Sequence, residues 1–481
     1  MTRRHALVPS GTVPGALTLA LALALASWPG TSTAQEPAEL DDGPPIPDGA
    51  YPSEPSPSDP AGRDPAAKDA KPGDHLTVYA LTFSPGDEAF FKFGHNAIWI
   101  HDDHAVRTRD RVYNWGTFSF GDPALIPKFV VGRFRYWLST MHINATKRVY
   151  AHENRWVDAQ ELDLSGEQKL ALQTAVEDNL QGDKKYYQYD YFRDNCSTRV
   201  RDALDGVTGG AIREAAKAPG RLTMRQHMNR VTADTPAFSA VLNLALGDLI
   251  DKPTTKWDEA YLPGELQKTL EAVVLKDASG KERPLVKKKE RIVTANRADP
   301  PLDPPTWLHY FAGIGLALGG AVAALSSAAA KGSKAARIAL GLGITASSLV
   351  LGFLGLFFLF VWFFTDHAAG YGNENIFVCA PFAWALVGGG ISIARGKTAS
   401  FPFAAKVASA AAALALLGVV VKVLPWFDQA NAWFLAMFVP PWVALAWGLR
   451  RLATTRTDAS TKEPPRPTKP AKAPKGAPRA A

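Results

Sequence analysis

Apolar and polar residues are arranged in two different ways along this chain. From about residue 75 to 300 the apolar positions come in short bursts punctuated by Gly, Pro, Asp and Asn; from about 306 they come in runs long enough to cross a bilayer. In the first region HLTVYALTFS, NAIWIHDD, RVYNWGTFSFG and FRYWLSTM have the β-branched and aromatic content of strands, with HDDHAVRTRD as a polar turn. RVYAHENRWVDAQELDL is expected to continue this β-rich part. SGEQKLALQTAVEDNLQ predicts a helix capped by Ser165, with Leu170, Leu172, Ala175 and Leu180 along one face. NCSTRVRDALDGV predicts another, capped by Asp194 or Asn195 and ending near Gly206. Residues 75–300 therefore read as an α+β domain.

The later runs predict an all-α membrane domain at 306–450 with five spans, near 307–328, 337–364, 376–394, 402–425 and 431–449. The connecting loops alternate in charge. AKGSKAAR, ARGKTAS and LRRLATTR are basic, whereas TDHAAGYGNENI and FDQANAW have no Lys or Arg. Basic loops stay in the cytoplasm, so the segment before the first span is expected outside. Trp307, Trp362, Trp426 and Trp433 lie near span ends, as an aromatic belt requires.

The N-terminus agrees with that topology. Residues 1–34 read as a secretory signal, with Arg3 and Arg4, the apolar GALTLALALALA and small residues Ser32 and Ala34. Residues 35–74 are a Pro-rich tether without the aliphatic content to form a core, and 451–481 a disordered basic tail in the cytoplasm. The expected location is a bacterial inner membrane, with the 75–300 domain in the periplasm. The formal net charge is +7, much of it in the tail and short loops, which favours membrane topology over nucleic-acid binding. Two distant cysteines in 481 residues exclude a disulfide framework. No metal or cofactor is expected.

A single thiol in an exported domain is either buried and inert or reactive. Cys196 follows Asp194 and Asn195 at a predicted helix start, where free N–H groups and the helix dipole favour a thiolate and form an oxyanion hole. Arg193, Arg199 and Arg201 add positive charge. Asn195 and Arg199 are candidate substrate contacts. A thiol nucleophile needs a base, and His95, on a strand after Gly94, is the candidate; His101 and His104 fall in the polar turn. Asn114 or Tyr113 is placed to orient the ring; strand alternation lets only one face the site, and an amide carbonyl suits Asn114. In TDHAAGYGNEN, Asp366, His367, Asn373 and Asn375 are expected at the outer membrane surface as head-group or amine contacts. Cys379 is expected to be a packing residue.

A histidine on a strand, about a hundred residues before a cysteine that opens a helix, resembles a permuted papain-like domain of the NlpC or lecithin:retinol acyltransferase type. FGHNAIWI, YNWGTFSFGDP, DYFRDNCSTRVRD and TDHAAGYGNENIFVCAP together resemble the Lnb family of lipoprotein N-acyltransferases, over roughly residues 76–395. That resemblance implies Cys196 as nucleophile, His95 as base, a phospholipid acyl donor, a lipoprotein acceptor and contact with membrane lipids. Two other readings are a papain-like cysteine peptidase or amidase acting on envelope peptides, for which five spans are superfluous, and a non-catalytic membrane binding protein.

Overall fold

The computed structural model describes residues 71–103, 109–119, 125–276 and 279–461. The predicted signal segment, the tether up to residue 70, His104 and the chain beyond Thr461 lie outside the described residues.

The order is β1 (Leu76–Phe83), β2 (His95–Asp102), β3 (Arg109–Thr117), α1 (Leu125–Val130), β4 (Arg135–His142), α2 (Ile143–His152), β5 (Val157–Leu162), α3 (Gly166–Leu180), β6 (Tyr186–Gln188) and α4 (Cys196–Val207). There follow α5 (Ala211–Ala215), α6 (Met224–Val231), α7 (Pro236–Ala245), α8 (Lys256–Glu259), α9 (Pro263–Ala272), β7 (Val274–Lys276), β8 (Glu282–Pro284) and β9 (Val286–Val293). An antiparallel sheet in the order β6-β4-β3-β2-β1-β5-β9 organises them. Alternation along the central strands serves two cores. Leu76, Val78, Ala80, Ile98 and Ile100 meet Leu172 and Val176 of α3, Val200 and Leu204 of α4, and Leu266 and Leu270 of α9. On the opposite face Leu81, Phe83, Ala97, Val112 and Val157 cluster with Ile143 of α2.

Three local readings are corrected. The stretch 143–152 is a helix; the His142 ring accepts from the Asn144 N–H at its start, and Ile143 and Thr146 turn inward. Ser165 caps α3 in a full capping box with Gln168, but the buried face runs through Leu172 and Val176, one turn apart, and Ala175 is exposed. The edge strand β9, VKKKERIV, escaped the apolar pattern because Lys287, Lys288 and Lys289 face solvent. Such lysines are what keep an exposed sheet edge from pairing with another chain.

The membrane part comprises α10 (Leu308–Ala330), α11 (Lys334–Phe364), α12 (Leu386–Arg395), α13 (Phe401–Val420) and α14 (Ala432–Thr461). Among the described residues four helices are long and apolar enough to cross a membrane. The predicted third span is instead a broken pair, Ala368–Phe377 and Pro381–Arg395, bent by 57°. Pro381 lacks the N–H that would carry a helix through the break. The irregular backbone is tolerated because it is covered by protein, Trp442 Nε1 donating to the Val378 carbonyl at 3.0 Å. The last helix also runs past residue 450, where a disordered tail was expected.

Polar side chains fasten the two parts together. Asn373 Nδ2 donates to the carbonyls of Leu244 (2.8 Å) and Ala245 (3.0 Å), and Asn375 Nδ2 to Leu244 (3.1 Å). Gln429 Nε2 donates to Leu246 at 3.0 Å. These amides satisfy carbonyls that the end of α7 leaves without helical partners.

Candidate active site

The chain turns into β2 through Gly94, whose φ of +82° favours glycine; a Cβ there would lie 2.7 Å from the Phe83 carbonyl. This close backbone approach precedes His95, the first residue of the strand. The next residue, Asn96, faces α4. Its Nδ2 donates to the Leu81 carbonyl and Thr82 Oγ1, both at 3.0 Å, and its Oδ1 accepts from Ser197 Oγ at 2.5 Å. All three groups are buried. The second residue of α4 is thereby pinned to the strand that carries His95.

Asn195 caps α4. Its Oδ1 accepts from the Thr198 N–H at 3.0 Å, and Thr198 Oγ1 accepts from the Asn195 N–H at 2.7 Å. Both Nδ2 hydrogens are used, toward Tyr191 O (2.8 Å) and Tyr261 O (3.1 Å). The substrate contact expected of Asn195 gives way to a cap, since a buried amide with every group engaged has none to offer a ligand. Cys196 follows as the first helical residue and is 8 % exposed.

The sulfur lies where two strands part. The pairing of β2 with β3 runs from Asp102↔Arg109 to Ile98↔Tyr113, short of His95. Cys196 comes in beside Gly116, whose φ is +98°; a Cβ there would sit 3.6 Å from Cys196 Cβ, 3.9 Å from Tyr187 Oη and 4.0 Å from a ring carbon of Tyr189. The backbone N–H groups of Asn96, Ser197 and Cys196 are the donors that favour a thiolate here. Burial raises the thiol above its ordinary value, and these donors oppose the rise. The helix dipole and neighbouring arginines were expected to ionise it; desolvation outweighs them.

His95 rests against the Phe83 ring at 5.4 Å, and its Nε2 meets Asn114 Oδ1 at 3.3 Å. Asn114 Nδ2 donates to the Val112 carbonyl at 3.3 Å, which fixes which end of the amide faces the ring. A carbonyl oxygen can only accept, so His95 donates from Nε2–H and carries its lone pair on Nδ1. Tyr113 points the other way, its hydroxyl donating to Glu177. Burial, then the charge of Arg155, pushes the imidazolium pKa down to about 4, with the Asn114 bond opposing. Arg155 is itself buried, held by Ser84 O (2.9 Å) and Glu153 (3.0 Å) and lying over the Tyr150 ring. Burial thus disfavours the charged form of both Cys196 and His95 at neutral pH. Alkylation of Cys196 by iodoacetamide should keep accelerating as pH rises past about 9. A rate already level below pH 8 would show a preformed thiolate instead.

Arg199 is held by both oxygens of Asp194, at 2.5 and 2.6 Å, and lies over the Tyr187 ring at 4.3 Å. The Tyr187 hydroxyl is buried with no hydrogen-bond partner. Sequence reasoning missed Asn96, Ser197, Arg155 and Tyr187. The first two lie inside the FGHN and DNCSTR motifs and were legible there; the last two carry no local signal.

The outer-loop residues separate. Asn373 and Asn375 are fully buried and hold α7, so their expected head-group role is corrected: the loop folds inward over the helix end. His367 stays near the surface, its Nε2 donating to the Phe129 carbonyl at 2.8 Å, and Arg133 pairs with Asp366 at 2.7 Å. Cys379 is buried in the membrane core.

Residues 63–230 match the sequence model of a family described as the Lnb N-terminal periplasmic domain. The chain carries an Lnb-type periplasmic domain. The match runs through β1 to α6, includes both His95 and Cys196, and ends before the membrane helices. No curated protein and no solved structure matches the chain. Joined to several apolar helices, the Lnb-type domain belongs to a membrane protein.

Proposed function

We propose that this protein is a cysteine-dependent acyltransferase that moves a fatty acyl chain from a phospholipid to an amine, the N-terminus of a lipoprotein being the acceptor the family suggests. The observation that carries this is that α4, which opens with Cys196, is pinned through Ser197 to Asn96, the strand neighbour of a His95 whose Nε2 meets Asn114. Cys, His and Asn in these roles are the set used by papain-like enzymes, which favours the permuted papain-like reading of the domain.

In the first half-reaction His95 Nδ1 takes the thiol proton as the sulfur attacks an ester carbonyl. The N–H groups at the start of α4 hold the oxyanion. The C–O bond then breaks, His95 returns the proton to the departing lysophospholipid oxygen, and a thioester remains. In the second half an amine attacks the thioester and His95 accepts its proton. The thiolate leaves and is reprotonated, releasing the amide. The depressed imidazole pKa keeps the base unprotonated at any pH above about 4. A membrane setting fits two lipid substrates. Arg337 lies against Gly396, whereas Asn373 and Gln429 hold the end of α7, the helix that follows the Lnb-type match. This grouping supports a periplasmic domain and a cytoplasmic C-terminus at the inner membrane.

The buried Tyr187 hydroxyl, near the sulfur and without a partner, is a further oxyanion donor in this scheme. Tyr187→Phe is expected to slow acylation of Cys196 by about 10²-fold while leaving iodoacetamide alkylation unchanged. Equal losses in both would mark a packing defect. The reading as a whole is tested by mass spectrometry of the protein taken from membranes. A fatty-acyl thioester on Cys196, discharged by a lipoprotein bearing a free N-terminal amine, supports it. A thiol that stays unmodified with phospholipid in excess sinks it.

A further inference from the structure

Resting on the acyl-transfer reading, we infer that a ladder of aromatic rings between the outer end of α11 and Cys196 is the track along which the donor's acyl chain leaves the bilayer. α11 ends in Phe363 and Phe364, 72 % and 71 % exposed. Just beyond, the loop is clamped to the turn between α1 and β4. Asp366 N–H donates to Val131 O at 2.9 Å, Arg133 Nε to Asp366 at 2.7 Å, and His367 Nε2 to Phe129 O at 2.8 Å. That clamp brings the first rungs to the membrane end of the helix. The His367 ring lies 6.2 Å from Phe129 and 6.0 Å from Phe134, which are 4.8 Å apart. Phe134 meets Tyr191 at 5.9 Å and Tyr136 at 6.2 Å. Tyr136 stacks on Tyr189 at 4.3 Å, and Tyr189 borders the space above Gly116 beside Cys196.

Two properties commit this surface to an acyl chain. Phe129 and Tyr191 remain 37 % and 41 % exposed on either side of the buried Phe134 ring, and exposed apolar rings grouped in this way mark a ligand or membrane contact. The ladder is also continuous, with the lipid-facing end of a helix at one end and a nucleophile that needs an acyl carbonyl at the other. Ring faces offer dispersion along a methylene chain.

The test uses the full-length protein in phospholipid vesicles doped with a phosphatidylethanolamine bearing a diazirine in its acyl chain. Irradiation should label the peptides that contain Phe129, Phe134 and Tyr191, in wild type and in Cys196→Ala alike, since occupancy of the track needs no thiol. Labels confined to the membrane helices overturn the track even where Cys196 becomes acylated. Labels on the track with no acyl group on wild-type Cys196 retain the lipid path and sink the transfer chemistry. In parallel, joint Phe129→Ala and Tyr191→Ala should lower transfer from a long-chain donor about tenfold and lower p-nitrophenyl acetate turnover far less. Equal loss on both substrates, or loss on neither, overturns the track.

Discussion

On the proposed acyl-transfer chemistry, Cys196→Ala is expected to lower transfer by on the order of 10⁴ or more and to leave a folded protein. The magnitude follows from the chemistry: without sulfur there is no covalent intermediate, and neutral His95 has no proton of a nucleophile to take. The folding half follows from the packing. Cys196 occupies the first helical position, and the contacts that hold α4 belong to its neighbours: the Asn195 cap, the Ser197 bond to Asn96, and Val200 and Leu204 in the core. Losing one sulfur atom there disturbs little. The measurement is paired: single-turnover acyl transfer from radiolabelled phospholipid, and thermal unfolding in detergent. Transfer persisting in a stable variant would remove Cys196 from the reaction, and with it the role given to His95.

Arg225→Met should cost about 3–5 kcal/mol of stability, the largest loss expected from a substitution away from the thiol. Arg225 is 1 % exposed, and its guanidinium is fully engaged. Nε reaches both oxygens of Asp251 (2.8 and 3.0 Å), Nη1 reaches Asn243 Oδ1 (3.2 Å), and Nη2 reaches the carbonyls of Leu246 (3.0 Å) and Gly247 (2.7 Å). Methionine fills much of the volume and makes none of these bonds. Asp251, also buried, is then left without its cation. Burial already pushes its carboxyl up with Arg225 in place, so the variant drives it toward the neutral acid, which limits the loss. Asp251 also accepts from the Ala430 N–H, in the same outer loops that cap α7. The damage therefore reaches the junction with the membrane part. A lowered melting temperature together with new protease cleavage between residues 236 and 251 is the expected outcome. Arg225→Met with Asp251→Leu should recover part of the loss, because the stranded charge is gone. An unchanged melting temperature for the single variant would show that the pair contributes nothing net.

How legible the site was depended on the range of the forces that build it. His95, Cys196 and the choice of Asn114 over Tyr113 could be read locally. Gly before a strand, an Asx cap before a helix and the two-residue alternation of a strand are short-range rules, and they place single side chains correctly. The protonation state could not be read. Arg193, Arg199 and Arg201 surround the cysteine in sequence, yet Arg199 spends its charge on Asp194 and the sulfur is buried. Arg155, forty-one positions before the cysteine, acts on His95 through space. Asn373 and Asn375 misled for a related reason. Polar residues between apolar runs look solvated, and only docking of the end of α7 shows that their amides are needed inside.

By itself the sequence determined that a strand-rich domain precedes several apolar helices, that the loops between them alternate in charge, and that Cys196 opens a helix while His95 opens a strand. Those properties live in hydrophobic period, charge asymmetry and capping residues, each set within a few positions along the chain. Only the tertiary structure decided that the third apolar run breaks, that the thiol is un-ionised, and that a ring ladder joins it to the end of a membrane helix. Desolvation and ring contacts depend on which distant segments close over a group, and no local pattern encodes that.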